Sequence, residues 1–219
     1  MSALPGAIRT NESLLGDNSP SNALTWGLFV LLALSMAATR YHHFSSVLHI
    51  ADTSWAVFFI AGLYLRPRWM FPALLGLAVA IDLVAVWMDG TGMSGCFSPA
   101  YPGLLLAYGA LWGAGRLAHT LMMGAQTTSA TPSTMMAVHI LEISGWLTLG
   151  VLGAFALSNL TFWAWSGHFA AMPLGEYSGR VIDYLGRYLV VTGFYVGLVV
   201  SGIRFIHILK SINTPQAAH

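Results

Sequence analysis

The chain has 219 residues, of which 56% are hydrophobic and 8% charged, and a formal net charge of +1. Soluble domains carry about a quarter charged residues, so this composition excludes an ordinary soluble fold and specifies an integral membrane protein. A near-zero net charge without a basic run gives no case for nucleic acid as a partner, and a single cysteine excludes an internal disulfide.

Residues 1–22 are polar and contain Pro5, Gly6, Gly16 and Pro20, which marks a flexible tail. The first apolar segment runs from Ala23 to Thr39. Its long polar lead, with only Arg9 as a basic residue, argues for a retained helix and against a cleaved signal. Within it, Ala33 and Ala37 form a small-xxx-small pair that permits close helix packing. A second apolar core, Trp55 to Leu65, is short for a crossing. Its helix is therefore expected to begin near Val47 and to draw His49 and Asp52 into its outer turns, with His42 and His43 just before it. Arg66-Pro67-Arg68 makes a tight basic turn, and the third segment, Trp69 to Met88, contains Asp82.

Asp89 to Tyr101 is a glycine-rich loop that carries Cys96. Pro99 and Pro102 suit the first turn of a new helix, so Cys96 is expected just outside a helix N-terminus, where the dipole favours a thiolate. The other reading of a lone cysteine is a small buried apolar residue. A fourth segment covers Pro99 to Leu117, residues 120–136 form a polar connection, and a fifth segment runs from Met136 to Trp165. Ser166 to Arg187, with His168, Glu176, Arg180 and Asp183, reads as a loop before the sixth segment, Tyr188 to Leu209. The expected architecture is all-α: six transmembrane helices over residues 23–210, between cytoplasmic tails at 1–22 and 211–219.

Orientation follows from the basic residues. Arg9, Arg66, Arg68, Arg116, Arg204 and Lys210 fall on one side; Arg40, Arg180 and Arg187 fall on the other. That bias places both termini in the cytoplasm and turns the Cys96 loop and the His42/His43 segment outward.

Asp82 stands out, because a carboxylate within a span is costly and normally faces the bundle interior or a watery cavity. Two readings are open for it: a protonated helix-packing group, or the wall of a wet outer vestibule. Tyr101, Leu105, Tyr108, Trp112 and Arg116 recur at helical spacing on the fourth segment. Such a stripe packs a core, and at its outer end it can wall a site for a large, partly apolar molecule. His139 with Glu142, and Arg204 with His207, sit at pairing distance on their helix faces near the inner edge. No CxxC, HxxxH or HExxH spacing marks a dedicated zinc site, and no nucleophile–base triad or phosphate loop appears.

Six spans with both termini inside, an outward site, and Asp82 followed by Cys96-Phe97-Ser98-Pro99-Ala100-Tyr101 resemble the BtuM family of small proteobacterial cobalamin transporters. That family looks like the substrate-binding S-components of ECF transporters. The resemblance covers nearly the whole chain from residue 23, and it implies an S-component-like bundle in a bacterial inner membrane that takes up vitamin B12. It further implies Cys96 as a ligand to the cobalt of cobalamin, promoting loss of cyanide from cyanocobalamin. Asp82 and Tyr101 would shape the pocket and bond the corrin amides, with Tyr108, His43 and His49 as further contacts. Ala33 and Ala37 resemble the small-residue motif by which S-components dock onto a transmembrane energising partner. No cofactor beyond the cobalamin cargo is implied. Two other readings remain: an S-component for another vitamin, with Cys96 incidental, and a haem-binding membrane oxidoreductase using His139 and His207.

Overall fold

A computed structural model describes residues 22–40, 51–89, 98–125 and 132–213, and among them all regular structure is helical. The helices are α1 (Asn22–Arg40), α2 (Ser54–Tyr64), α3 (Met70–Asp89), α4 (Tyr101–Ala125), α5 (Pro132–Trp165) and α6 (Leu174–Asn213). Four of them, α1, α3, α5 and α6, are long and apolar enough to cross a membrane. The chain is thus an all-helical protein of membrane character.

The centre of the bundle is its shortest helix. All of Ser54 to Leu63 in α2 is buried, including Phe58, Phe59 and Ile60. A helix that is apolar all round belongs inside a bundle, and α2 packs against α1, α3, α4 and α6. At 11 residues it is about 16 Å long, half the hydrocarbon thickness of a bilayer. The expected start near Val47 is not where the helix begins: residues 51–53 are non-helical and α2 opens at Ser54. Asp52 stays outside the helix and accepts hydrogen bonds from the backbone N–H (2.9 Å) and Oγ (2.6 Å) of Ser54.

Glycine lets α2 and α4 touch backbone to backbone. A Cβ at Gly62 would overlap the Trp112 carbonyl, and one at Gly115 would overlap the Phe59 carbonyl. With little hydrophobic drive between helices in lipid, such close approach is a main source of packing energy. The α4–α5 seam repeats the device, since a Cβ at Gly103 would meet the Thr161 side chain.

The helices alternate in direction. Contacts place the ends of α1, α3 and α5 beside the starts of α2, α4 and α6 at one end of the bundle: Arg40 bonds Ser54, and Asp82 bonds Tyr101. At the opposite end Arg116 of α4 donates to the Leu65 carbonyl (3.3 Å) just after α2, and Arg204 of α6 lies against His139 of α5 (3.5 Å).

The expected Ser166–Arg187 loop is largely helix. Only residues 166–173 connect α5 to α6, and Glu176, Arg180, Asp183 and Arg187 lie within α6. Their spacing repeats at helical period, while Tyr177, Val181, Leu185 and Leu189 turn inward. Likewise α4 runs on to Ala125 and α5 starts at Pro132, so the polar 120–136 stretch contributes a turn or more to each helix.

Candidate functional site

Asp82 does not stand alone. It lies on α3 two turns before the helix ends, and Arg40, the last residue of α1, reaches it with a two-pronged bond: Nε to Oδ1 at 2.7 Å and Nη2 to Oδ2 at 2.6 Å. A planar guanidinium matches a carboxylate in this way with both charge and direction. The pair gives the carboxylate a counter-charge within the bundle, which offsets the cost of a lone one within a span. Both partners are largely buried, with side chains 9% and 18% exposed.

Through Nη1, Arg40 also reaches two further elements. Nη1 donates to Ser54 Oγ (3.1 Å) at the start of α2 and to the Tyr108 hydroxyl (2.5 Å) on α4. Asp52 stands 3.7 Å from the same nitrogen. Beside this network Thr39 Oγ1 and Thr53 Oγ1 lie 2.9 Å apart, and the Thr53 N–H also donates to Thr39 Oγ1 (3.1 Å). One guanidinium thereby links α1, α2, α3 and α4.

Tyr101 connects the network to open space. Its hydroxyl donates to Asp82 Oδ2 at 2.7 Å, and its side chain helps to line a cleft of about 290 Å³ at the same end of the bundle. Trp55, Phe162 and Tyr188 supply further aromatic wall, and Ser98 and Asn159 supply polar groups. The wall is braced from behind: the Trp55 and Tyr188 rings lie 4.4 Å apart, and Phe155 meets Tyr188 edge-on at 5.8 Å. Asn159 is held by donation to the Phe155 carbonyl (2.9 Å) and acceptance from the Tyr177 hydroxyl (3.1 Å). The arrangement can receive a flat, partly apolar group and bond its polar edge.

Among the residues singled out from sequence, Asp82, Tyr101 and Tyr108 converge within this network. Tyr108 is 1% exposed and stacks on Phe58 (centroids 4.4 Å apart), so it braces Arg40 and does not line the cleft. Cys96, His43 and His49 lie outside the described residues. Cys96 precedes by two positions Ser98, which lines the cleft. Helix α4 begins five residues after Cys96, at Tyr101, with Pro102 in its first turn as expected and Pro99 before it. Two of its first N–H groups are already bonded, Tyr101 to the Ser98 carbonyl and Gly103 to the Ala100 carbonyl, both at 2.9 Å.

Arg40 is the residue sequence reasoning missed. At the end of an apolar run it reads as an outer flanking charge, although a carboxylate within a span asks for a cation at equal depth. At the opposite end, Arg204 meets His139 and the Met136 thioether across the α5–α6 seam, and Glu142 forms no ion pair among the described residues. The His207 side chain lies outside the described residues. On α1, Ala33 packs partly against the core and Ala37 is half-buried, while Leu31 and Leu34 face outward. Among the described residues no three His, Cys, Asp or Glu side chains gather as a metal site. No family model matches the sequence, and no curated protein matches it significantly.

Proposed function

We propose that this protein is a cobalamin transporter of the inner bacterial membrane, with a chain that crosses the bilayer six times, the short α2 marking the buried part of one crossing, and with both termini in the cytoplasm. Cobalamin is its cargo and binds from outside, at the end of the bundle where Tyr101 and the cleft lie. The observation that carries this reading is the cleft itself: aromatic walls from four helices, hydroxyl and amide groups at its edge, and a braced ion pair behind Tyr101. A space of about 290 Å³ takes one edge of a corrinoid, not the whole molecule. Carboxamide side chains around the corrin suit Ser98, Asn159 and the Tyr101 hydroxyl as hydrogen-bonding partners.

In this reading Cys96, close to Ser98 in sequence, presents its thiolate to the cobalt from the axial direction. A thiolate replaces cyanide as cobalt ligand by simple exchange: the Co–S bond forms, the Co–C bond breaks, and cyanide leaves with its electron pair. The thiol's proton leaves with the cyanide as hydrogen cyanide, and cobalt binding promotes its loss from sulfur. Serine at this position would offer a hard, protonated oxygen that low-spin cobalt binds poorly.

The test is the absorption spectrum of purified protein loaded with cyanocobalamin. Wild type is expected to shift from the cyanide-bound to a thiolate-bound spectrum, and Cys96→Ser to bind weakly with no shift. A wild-type protein that leaves the cobalamin spectrum untouched and retains none on a sizing column would end the cobalamin reading. A Soret band in protein as isolated would replace it with haem.

A further inference from the structure

We propose that Arg40 is the positioning residue of the cleft: acting through Asp82, it fixes the Tyr101 side chain that walls the site and so sets ligand affinity. The inference deepens the reading of the cleft as a binding site, and it rests on that reading only for its consequence on affinity.

The geometry is a chain of shared atoms. Asp82 Oδ2 accepts from Arg40 Nη2 at 2.6 Å and from the Tyr101 hydroxyl at 2.7 Å, so one oxygen receives both donors. Rotating Asp82 to improve either bond would weaken the other. What stops that rotation is the second prong of the fork, from Arg40 Nε to Oδ1 at 2.7 Å, which fixes the plane of the carboxylate. Arg40 cannot swing away in turn, because Nη1 is bonded to Ser54 and Tyr108 on two other helices. Tyr108 is immobilised by burial and by its stack on Phe58. Tyr101 is the first residue of α4, and since helical side chains lean toward the N-terminus it has no preceding turn of its own helix to rest on. Its hydroxyl is held from outside the helix by Asp82, whose carboxylate the Arg40 fork fixes in place.

A lysine at position 40 would keep the charge and lose the fork. A glutamine would keep a hydrogen-bonding amide and lose the charge. Arg40 is not among the residues lining the cleft, and Ser54 offers a second route to it beside Trp55, so a change read at Tyr101 itself is what reports transmission through Asp82.

The experiment labels all tyrosines with 2-fluorotyrosine and follows the ¹⁹F resonance of position 101, assigned by its loss in Tyr101→Phe. Arg40→Gln is expected to shift and broaden that resonance in ligand-free protein, and Arg40→Lys to do so to a lesser degree. Cyanocobalamin affinity should fall about tenfold in Arg40→Gln, the scale of one lost positioning bond, with partial rescue in Arg40→Lys. Should Arg40→Gln fail to fold, Arg40→Lys alone carries the measurement. An unchanged resonance at 101 in variants that only melt earlier would make Arg40 a structural tie and overturn the proposal. A shifted resonance in a protein that never binds cobalamin would uphold the positioning role and remove the ligand reading instead.

Discussion

Two arginine–carboxylate pairs in this protein have nearly the same length and opposite surroundings. Arg40–Asp82 closes to 2.6 Å with side chains 9% and 18% exposed, whereas Arg180–Glu176 closes to 2.7 Å with side chains 61% and 54% exposed. Coulomb attraction scales inversely with the local dielectric, so equal distances do not mean equal energies. The pairs also differ in what they join. Arg180 and Glu176 are one turn apart on a single helix, while Arg40 and Asp82 lie 42 positions apart and bring α1 to α3. Burial and reach, not bond length, separate a tie that organises a site from one that decorates a helix.

The comparison breaks first at Arg40. Arg40→Ala leaves Asp82 buried without its counter-charge, and removing one partner of a buried pair costs about 3–5 kcal/mol. Loss of that size is a large share of a typical domain's stability, so the variant should unfold far below wild type in thermal melts in detergent. A melting temperature within a degree or two of wild type would mean the pair contributes little.

Replacing both partners sharpens the point. Arg40→Met with Asp82→Leu removes both charges at once, and such exchanges are often neutral or stabilising by about 1–4 kcal/mol. The double variant should recover most of the stability lost in Arg40→Ala while loosening Tyr101, because the Asp82 oxygen that accepts from its hydroxyl is gone. Recovered folding with cobalamin binding still impaired would separate the pair's role in the site from its role in the fold. Full recovery of both would reduce Asp82 and Arg40 to packing.

A smaller effect is expected at Tyr101→Phe. The ring stays in the cleft wall and one hydroxyl bond to Asp82 is lost, worth about 0.5–1.5 kcal/mol. Asp82 keeps both bonds from Arg40, so the protein should remain folded and bind cobalamin up to about tenfold more weakly. Titration followed by absorption measures this directly; affinity equal to wild type would show that the hydroxyl plays no part in binding.

How far the sequence carried the architecture can be judged residue by residue. Long apolar runs revealed α1, α3, α5 and the membrane part of α6, because hydropathy over some 20 residues outweighs any local ambiguity. Asp82 was legible as inward-facing because a carboxylate within such a run is costly against lipid, but its partner was not. Arg40 sits at the end of an apolar run, where flanking cations are routine, and nothing local distinguishes one that turns back into the bundle. The first third of α6 reads as a loop from its charges, although those charges recur at helical spacing and the segment is helix. The short α2 was legible only as an apolar core, since its start depends on Asp52 bonding Ser54 and on contacts with all five other helices. The cleft was beyond reach, because Trp55, Asn159, Phe162 and Tyr188 come together only through the alternation of helices.

The smallest effect belongs to the exposed pair, and it is the control for all the others. Arg180→Ala removes the 2.7 Å bond to Glu176, but both groups are mostly in contact with their surroundings and can be solvated or screened where they stand. Exposed pairs four apart on a helix are worth about 0.3–0.5 kcal/mol, and salt reduces even that. Arginine and alanine are both good helix formers, so the backbone of α6 gains or loses little from the exchange itself. The expected melting temperature is therefore close to wild type, and the remaining difference should shrink as ionic strength rises. Arg40→Ala should keep its deficit in the same salt series, because a buried pair is screened much less. If the two deficits were similar in size, or shrank together with salt, burial would not be what sets these two ion pairs apart.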